Sequence, residues 1–159
     1  MAQLTPPARD LLEPPDNKVG ISIQLNGTDD SARAVMDRTG IRFAGFKYSQ
    51  EIPAYAFPPL EQIDATLSNA ALLLDILPAG GWSAIADSDI DDLVQQCSSL
   101  NSHGRSVFLR LAPDMNVSWE PWGQKPLSFI RYWRRIRAAL LSDIAVNATV
   151  MVWAPHNVF

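Results

Sequence analysis

Short apolar runs alternate with helix-spaced apolar residues from Val19 to Trp153, and this alternation leaves few folds open to the chain. Val19 to Leu25 begins at period two, as a half-buried strand does. Asp29, Asp30 and Ser31 offer N-caps for a short helix through Asp37, which Thr39 and Gly40 end. Ile41 to Tyr48 predicts a second strand, and Pro53, Pro58 and Pro59 an irregular loop after it. Leu60, Ile63 and Leu67 share one helical face. Ala70 to Leu77 is an almost continuous apolar run, the pattern of a strand buried on both faces. After a Pro78–Gly81 loop, Ile90, Leu93, Val94 and Cys97 return to helix spacing, with Asp87 and Ser88 before them as caps and Gly104 as the stop. Ser106 to Ala112 predicts the fourth strand. Pro126 suits the first turn of a helix whose buried stripe is Phe129, Trp133, Ile136 and Leu140. Arg131, Arg134, Arg135 and Arg137 surround that stripe and read as a solvated basic face. Ala148 to Trp153 predicts a fifth strand.

The order β-α-β-α-β-α-β-α-β predicts the α/β class, with a parallel sheet joined by right-handed crossovers. Two architectures accommodate it. A five-stranded doubly wound sheet would be complete at 159 residues. A (β/α)8 TIM barrel typically needs about 250 residues, so the chain would supply a partial barrel of about its first five strands. Residues 1–17 (Pro6, Pro7, Pro14, Pro15) read as a Pro-rich extended arm, and residues 18–159 as the barrel-like domain.

Composition narrows the partners. Apolar residues make up 47 % and charged residues 19 %, ordinary for a packed domain, and the net charge of −4 gives no general attraction to nucleic acid or anionic membrane. No apolar run approaches the roughly 20 residues of a membrane span. The one cysteine, Cys97, leaves no intrachain disulfide and no multi-cysteine zinc site; it reads as a small core residue. His103 and His156 lie far apart without partners at ligand spacing, so neither a metal nor a cofactor is expected. Met1 to Lys18 lacks the apolar centre of a signal peptide, and the sequons at Asn26, Asn116 and Asn147 are weak indicators of secretion, which leaves localisation open.

The segment richest in chemistry is Arg110-Leu-Ala-Pro-Asp-Met-Asn-Val-Ser-Trp-Glu-Pro-Trp-Gly123. It starts in the fourth strand and runs off its C-terminal end, the edge where parallel α/β folds gather ligand-binding groups. Asp114, Asn116, Trp119 and Trp122 fall within a few residues of one another. Sugar sites use such groups: carboxylates act at the glycosidic bond, amides and arginines bind hydroxyls, and indoles stack on pyranose rings. Read without reference to any family, Asp114 is equally a turn residue and the tryptophans equally core.

These residues resemble the glycoside hydrolase family 26, the β-mannanase-like enzymes, whose fourth strand ends in R-x-x-(H/P)-E-M-N-G-x-W followed by an aromatic residue and Gly. Gln124-Lys-Pro126, Trp133-Arg-Arg135 and Val152-Trp-Ala-Pro155 with Asn157 behind it extend the resemblance. It runs from about Val19 to the end and is most specific in the last third. It implies a (β/α)8 barrel and retaining endo-hydrolysis of β-linked polysaccharide. It puts Asp114 at the general acid/base position, matches Arg110 and Asn116 to motif residues, and puts Trp119 and Trp153 near the substrate cleft; Trp122 belongs to the same indole cluster as a sugar-stacking candidate, and His156, at the C-terminal end of the fifth strand, is placed for a sugar contact.

The chain departs from the pattern in two places, and from the mannanases in a third. Asp114 replaces Glu, which withdraws the carboxyl by roughly 1.5 Å, and a misplacement of about 1 Å can cost on the order of a hundredfold in rate. Pro113 stands where mannanases carry His. Val117 replaces Gly and would be strained if that position needs positive φ. The family's nucleophile is a glutamate on strand seven, which the sequence does not reach; Asp75, Glu51 and Glu120 are the remaining carboxylates near strand ends and loops, and Asp75 reads as hydrogen-bonded and structural. The expectation is a hydrolase sequence that stops before its barrel closes, inactive alone, whose open edges at strands one and five favour self-association. A non-catalytic carbohydrate-binding pseudoenzyme is the first alternative. A flavodoxin-like module for a phosphate-bearing ligand, with Asn26-Gly-Thr-Asp-Asp30 as its loop, is the second.

Overall fold

Five parallel strands line up in the order in which they occur along the chain. The structure, a computed structural model, describes residues 22–24, 31–54, 70–103, 105–142 and 149–151. Its elements are β1 (Ser22–Gln24), α1 (Ala32–Thr39), β2 (Gly45–Glu51), β3 (Ala71–Leu77), α2 (Asp87–Ser102), β4 (Val107–Leu111), α3 (Pro126–Ser142) and β5 (Thr149–Met151), with one 3-10 turn at Trp82–Ala84. The Pro-rich arm and the helix expected around Leu60 to Leu67 lie outside the described residues. The sequential order overturns the doubly wound alternative. A flavodoxin-like sheet reverses its winding and opens a ligand crevice at the reversal; this sheet has no reversal.

Local chemistry explains most of the boundaries. The Ser31 hydroxyl accepts from the Ala34 amide at 3.0 Å, and Gly40 closes α1 in the left-handed region at φ 68°. The second strand begins at Gly45, later than Ile41: Phe43 is already buried but packs edge-on against Phe46, before the ladder starts. The cap of α2 also differs from expectation. Ala86 is the N-cap, and Asp89, three residues into the helix, accepts the Ala86 amide at 2.7 Å. Asp87 and Ser88 therefore lie inside the first turn, where the Asp87 carboxylate faces the helix dipole favourably. Pro126 is the first residue of α3, as its fixed φ suits.

The register divides the sheet into two faces. Phe46, Leu72 and Val107 lie abreast, as do Tyr48, Leu74 and Leu109, and then Gln50, Ile76 and Leu111. This face meets α2 through buried Ile90, Leu93, Val94, Cys97 and Leu100, and α3 packs beside α2. Each leucine buried this way contributes roughly 1.5–3 kcal/mol. Gln50 and Gln96 clasp β2 to α2 with two reciprocal amide hydrogen bonds of 2.9 Å, both buried. Truncating one alone would strand the other, at about 1–3 kcal/mol. In α3, Phe129, Ile136 and Leu140 are buried as the stripe predicts, but Trp133 is only half-buried and its indole N–H meets no acceptor among the described residues. The opposite face carries Lys47, Ser49, Leu73, Asp75, Phe108 and Arg110, again abreast by register.

Burial at Cys97 has a measurable consequence. Desolvation pushes its thiol from 9.0 up to about 12. The folded pKa is raised, so the thiol's contribution to stability is intact below pH 9 and is lost as pH climbs toward 12. An aromatic disulfide reagent is expected to leave the native protein unlabelled at neutral pH and to label it fully in urea. Rapid labelling without denaturant would contradict the burial.

Candidate functional site

Parallel strands bring every β-to-α loop to one edge, and two of those loops are joined here by tryptophans. The loop after β3 turns through Pro78 to Gly81, where Gly81 takes φ 77°. It presents Trp82, which is buried, stacked on Tyr132 at 5.4 Å and edge-on to Phe129 at 6.0 Å. The Trp82 indole N–H donates to the Trp122 carbonyl at 3.0 Å, and the Trp122 indole N–H donates to the Pro113 carbonyl at 2.8 Å. Trp122 is 6 % exposed. With ring and N–H both enclosed, it pins the loop.

Residues 112–125 form that pinned loop. The Ala112 amide continues the ladder to Ile76 at 2.8 Å, and the Gln124 amide returns to the Met115 carbonyl at 2.8 Å. Ala112, Asp114 and Gln124 adopt φ of 51°, 56° and 52°. Asp tolerates this region; for Ala it costs roughly 1–2 kcal/mol. The expected strain at Val117 is absent, since Val117 is not among the positive-φ residues. Gly123 is required for a different reason: a Cβ there would fall 1.9 Å from the Val117 carbonyl oxygen, so the loop closes only around glycine.

The outward side of this loop holds three of the expected site residues. Asp114 and Asn116 are exposed, and Trp119 is 77 % exposed with its ring in solvent. Trp153 and His156 lie outside the described residues, so their places near the cleft are not described.

Arg110 is held by an ion pair within the sheet. It points to the face of the sheet opposite α2 and grips Asp75, which sits directly across from it in register. The Arg110 Nε donates to Asp75 Oδ1 at 2.7 Å and one Nη donates to Oδ2. Lys47 Nζ approaches the same Oδ2 at 3.1 Å. Asp75 is 2 % exposed, against 20 % for Arg110 and 21 % for Lys47. Such a carboxylate exists in the interior because two cations hold it. Lys47 and its partnership with Asp75 escape the sequence reading, although a lysine between Phe46 and Tyr48 in a strand is a visible signal. The pinning role of Trp82 escapes it entirely.

Among the described residues no three His, Cys, Asp or Glu side chains gather as metal ligands, and no helix is long and apolar enough to cross a membrane. Fold and site together define a parallel α/β domain with a rigid, tryptophan-pinned loop at the carboxyl edge of its sheet. Comparison with protein-family models and with curated proteins finds no match.

Proposed function

We propose that this chain is a glycoside hydrolase family 26-type segment of a (β/α)8 barrel that recognises β-linked polysaccharide. Asp114 takes the acid/base position and Trp119 is the stacking platform. The observation carrying this reading is the pairing of a solvent-facing carboxylate with a solvent-facing indole on one pinned loop at the carboxyl end of β4. A large exposed aromatic ring on a rigid loop is unfavourable in water and favourable against the apolar face of a sugar. The sequential strand order supports the barrel, in which every crossover helix falls on the outer face.

Binding, rather than turnover, is the part of this function that the residues of the loop support. Retaining hydrolysis needs a second carboxyl about 5–5.5 Å from the first. Asp75, engaged by Arg110 and Lys47, is not free to attack a sugar. Asp114 is also one methylene shorter than the family's Glu.

Affinity electrophoresis and calorimetry with soluble β-mannan and β-glucan test the proposal. The chain is expected to bind at least one of them and to release no reducing ends. Trp119→Ala should leave the melting temperature unchanged, because its ring is exposed, and remove stacking of about 0.5–1.5 kcal/mol, up to roughly tenfold in affinity. Absence of binding to both glycans, or a Trp119→Ala variant that binds like the parent, would sink the reading. Hydrolysis by the parent chain would overturn only the statement about turnover.

A further inference from the structure

Helix α3 has a second apolar stripe that its packing does not use. Leu127 is 82 % exposed, Ile130 43 % and Leu141 64 %. With Arg134 they fall three, four and seven residues apart, so they line one outer face at coiled-coil spacing. Arg131 and Arg137 flank this line and Arg134 lies within it; all three are exposed. From Gln124 to Ser142 the chain has five cations and no carboxylate, although its net charge is −4. Of these cations, Arg135 is paired with Asp87 on the inner side, and Arg137 lies 5.8 Å over the Trp133 ring.

We infer that the outer face of α3 is a docking surface for an acidic amphipathic helix of a partner protein. Exposed leucines rimmed by cations of one sign call for an apolar stripe edged with carboxylates. The position of Arg134 decides among the possible occupants. It sits between Leu127 and Leu141, so a lipid surface covering the leucines would press a guanidinium toward hydrocarbon, and the negative chain as a whole is repelled by anionic headgroups. A second copy fares no better: two parallel α3 helices related by a twofold axis would face Arg134 with Arg134, and so would antiparallel ones in the register that sets Leu127 against Leu141. A partner helix carrying Glu opposite Arg131 and Arg134 satisfies both the charge and the apolar stripe.

The probe is a labelled three-heptad peptide with Leu at its a and d positions and Glu at e and g, titrated against the full chain and followed by fluorescence anisotropy. A control peptide carries Lys in place of Glu. Expected are saturable binding of the Glu peptide that weakens with salt, and none of the Lys peptide. Arg131→Glu/Arg134→Glu should reverse that preference, and Leu127→Ser/Leu141→Ser should weaken Glu-peptide binding by about tenfold or more. All four positions are exposed, so unchanged circular dichroism and melting would show that both variants fold. Failure of the Glu peptide to bind, or equal binding of the two peptides, overturns the proposal. So does a parent chain that sediments as a dimer dissociated by Arg134→Glu, or one that binds phosphatidylserine vesicles but not the peptide.

Discussion

Trp122→Ala is expected to destabilise the protein by about 3–5 kcal/mol, the range for truncating a buried large aromatic residue. More than ring volume is removed. The indole N–H releases the Pro113 carbonyl, which lies between the two left-handed residues Ala112 and Asp114. The Trp122 carbonyl is also the acceptor for Trp82, so a shift of the backbone at 122 loosens the stack of Trp82 on Tyr132. Trp122→Phe separates these effects. It keeps most of the buried area and removes only the donor, and should cost about 1–3 kcal/mol for the stranded carbonyl. Urea unfolding followed by circular dichroism measures both. A Trp122→Ala variant within 1 kcal/mol of the parent would mean that the loop is not held by this ring. Because Trp122 orders the loop bearing Asp114 and Trp119, both variants should also weaken glycan binding, the alanine variant more.

The fold was legible wherever a local rule decided an element. The apolar run that became β3, the Ser31 and Gly40 caps of α1, and Pro126 at the head of α3 each depend on residues a few positions apart. Where a longer contact decided, the reading slipped. Phe43 looks like a strand residue because it is apolar and alternates with its neighbours, yet its burial comes from Phe46 and not from a ladder. Asp87 looks like a cap because Asp favours caps, yet Ala86 holds the N-cap and its amide is satisfied by Asp89 from inside the helix.

The site was less legible for the same physical reason. Trp119 and Trp122 stand three residues apart in a segment with no periodicity, so nothing local tells which ring is in solvent and which is enclosed. The choice is made by Pro113 and by Trp82, the latter forty residues upstream. Arg110 was legible as a strand residue of consequence, but its partner depends on the register of β3 against β4, and register is set by the whole sheet. The same motif thus supplied Asp114, Asn116 and Trp119 to the exposed loop, Trp122 to the core beneath it, and Arg110 to the sheet's other face.

That face carries the second large expected effect. Arg110→Met removes two hydrogen bonds from a carboxylate that is 2 % exposed, leaving Lys47, 3.1 Å from its Oδ2, to hold it. Orphaning a buried charge completely costs roughly 3–5 kcal/mol; with Lys47 still present, about 2–3 kcal/mol is expected. Asp75→Leu alone should also destabilise, since it leaves two cations side by side, although both are partly hydrated and can turn toward water. The informative variant combines Lys47→Met, Asp75→Leu and Arg110→Met. Replacing every member of a buried ionic cluster with apolar groups of similar size is often neutral or stabilising. The triple variant should therefore unfold at a urea midpoint near the parent's, and above that of Arg110→Met. If the three substitutions are instead additive, the cluster is not acting as a coupled unit. Restored stability in the triple variant would mean that the three charges are not needed for folding.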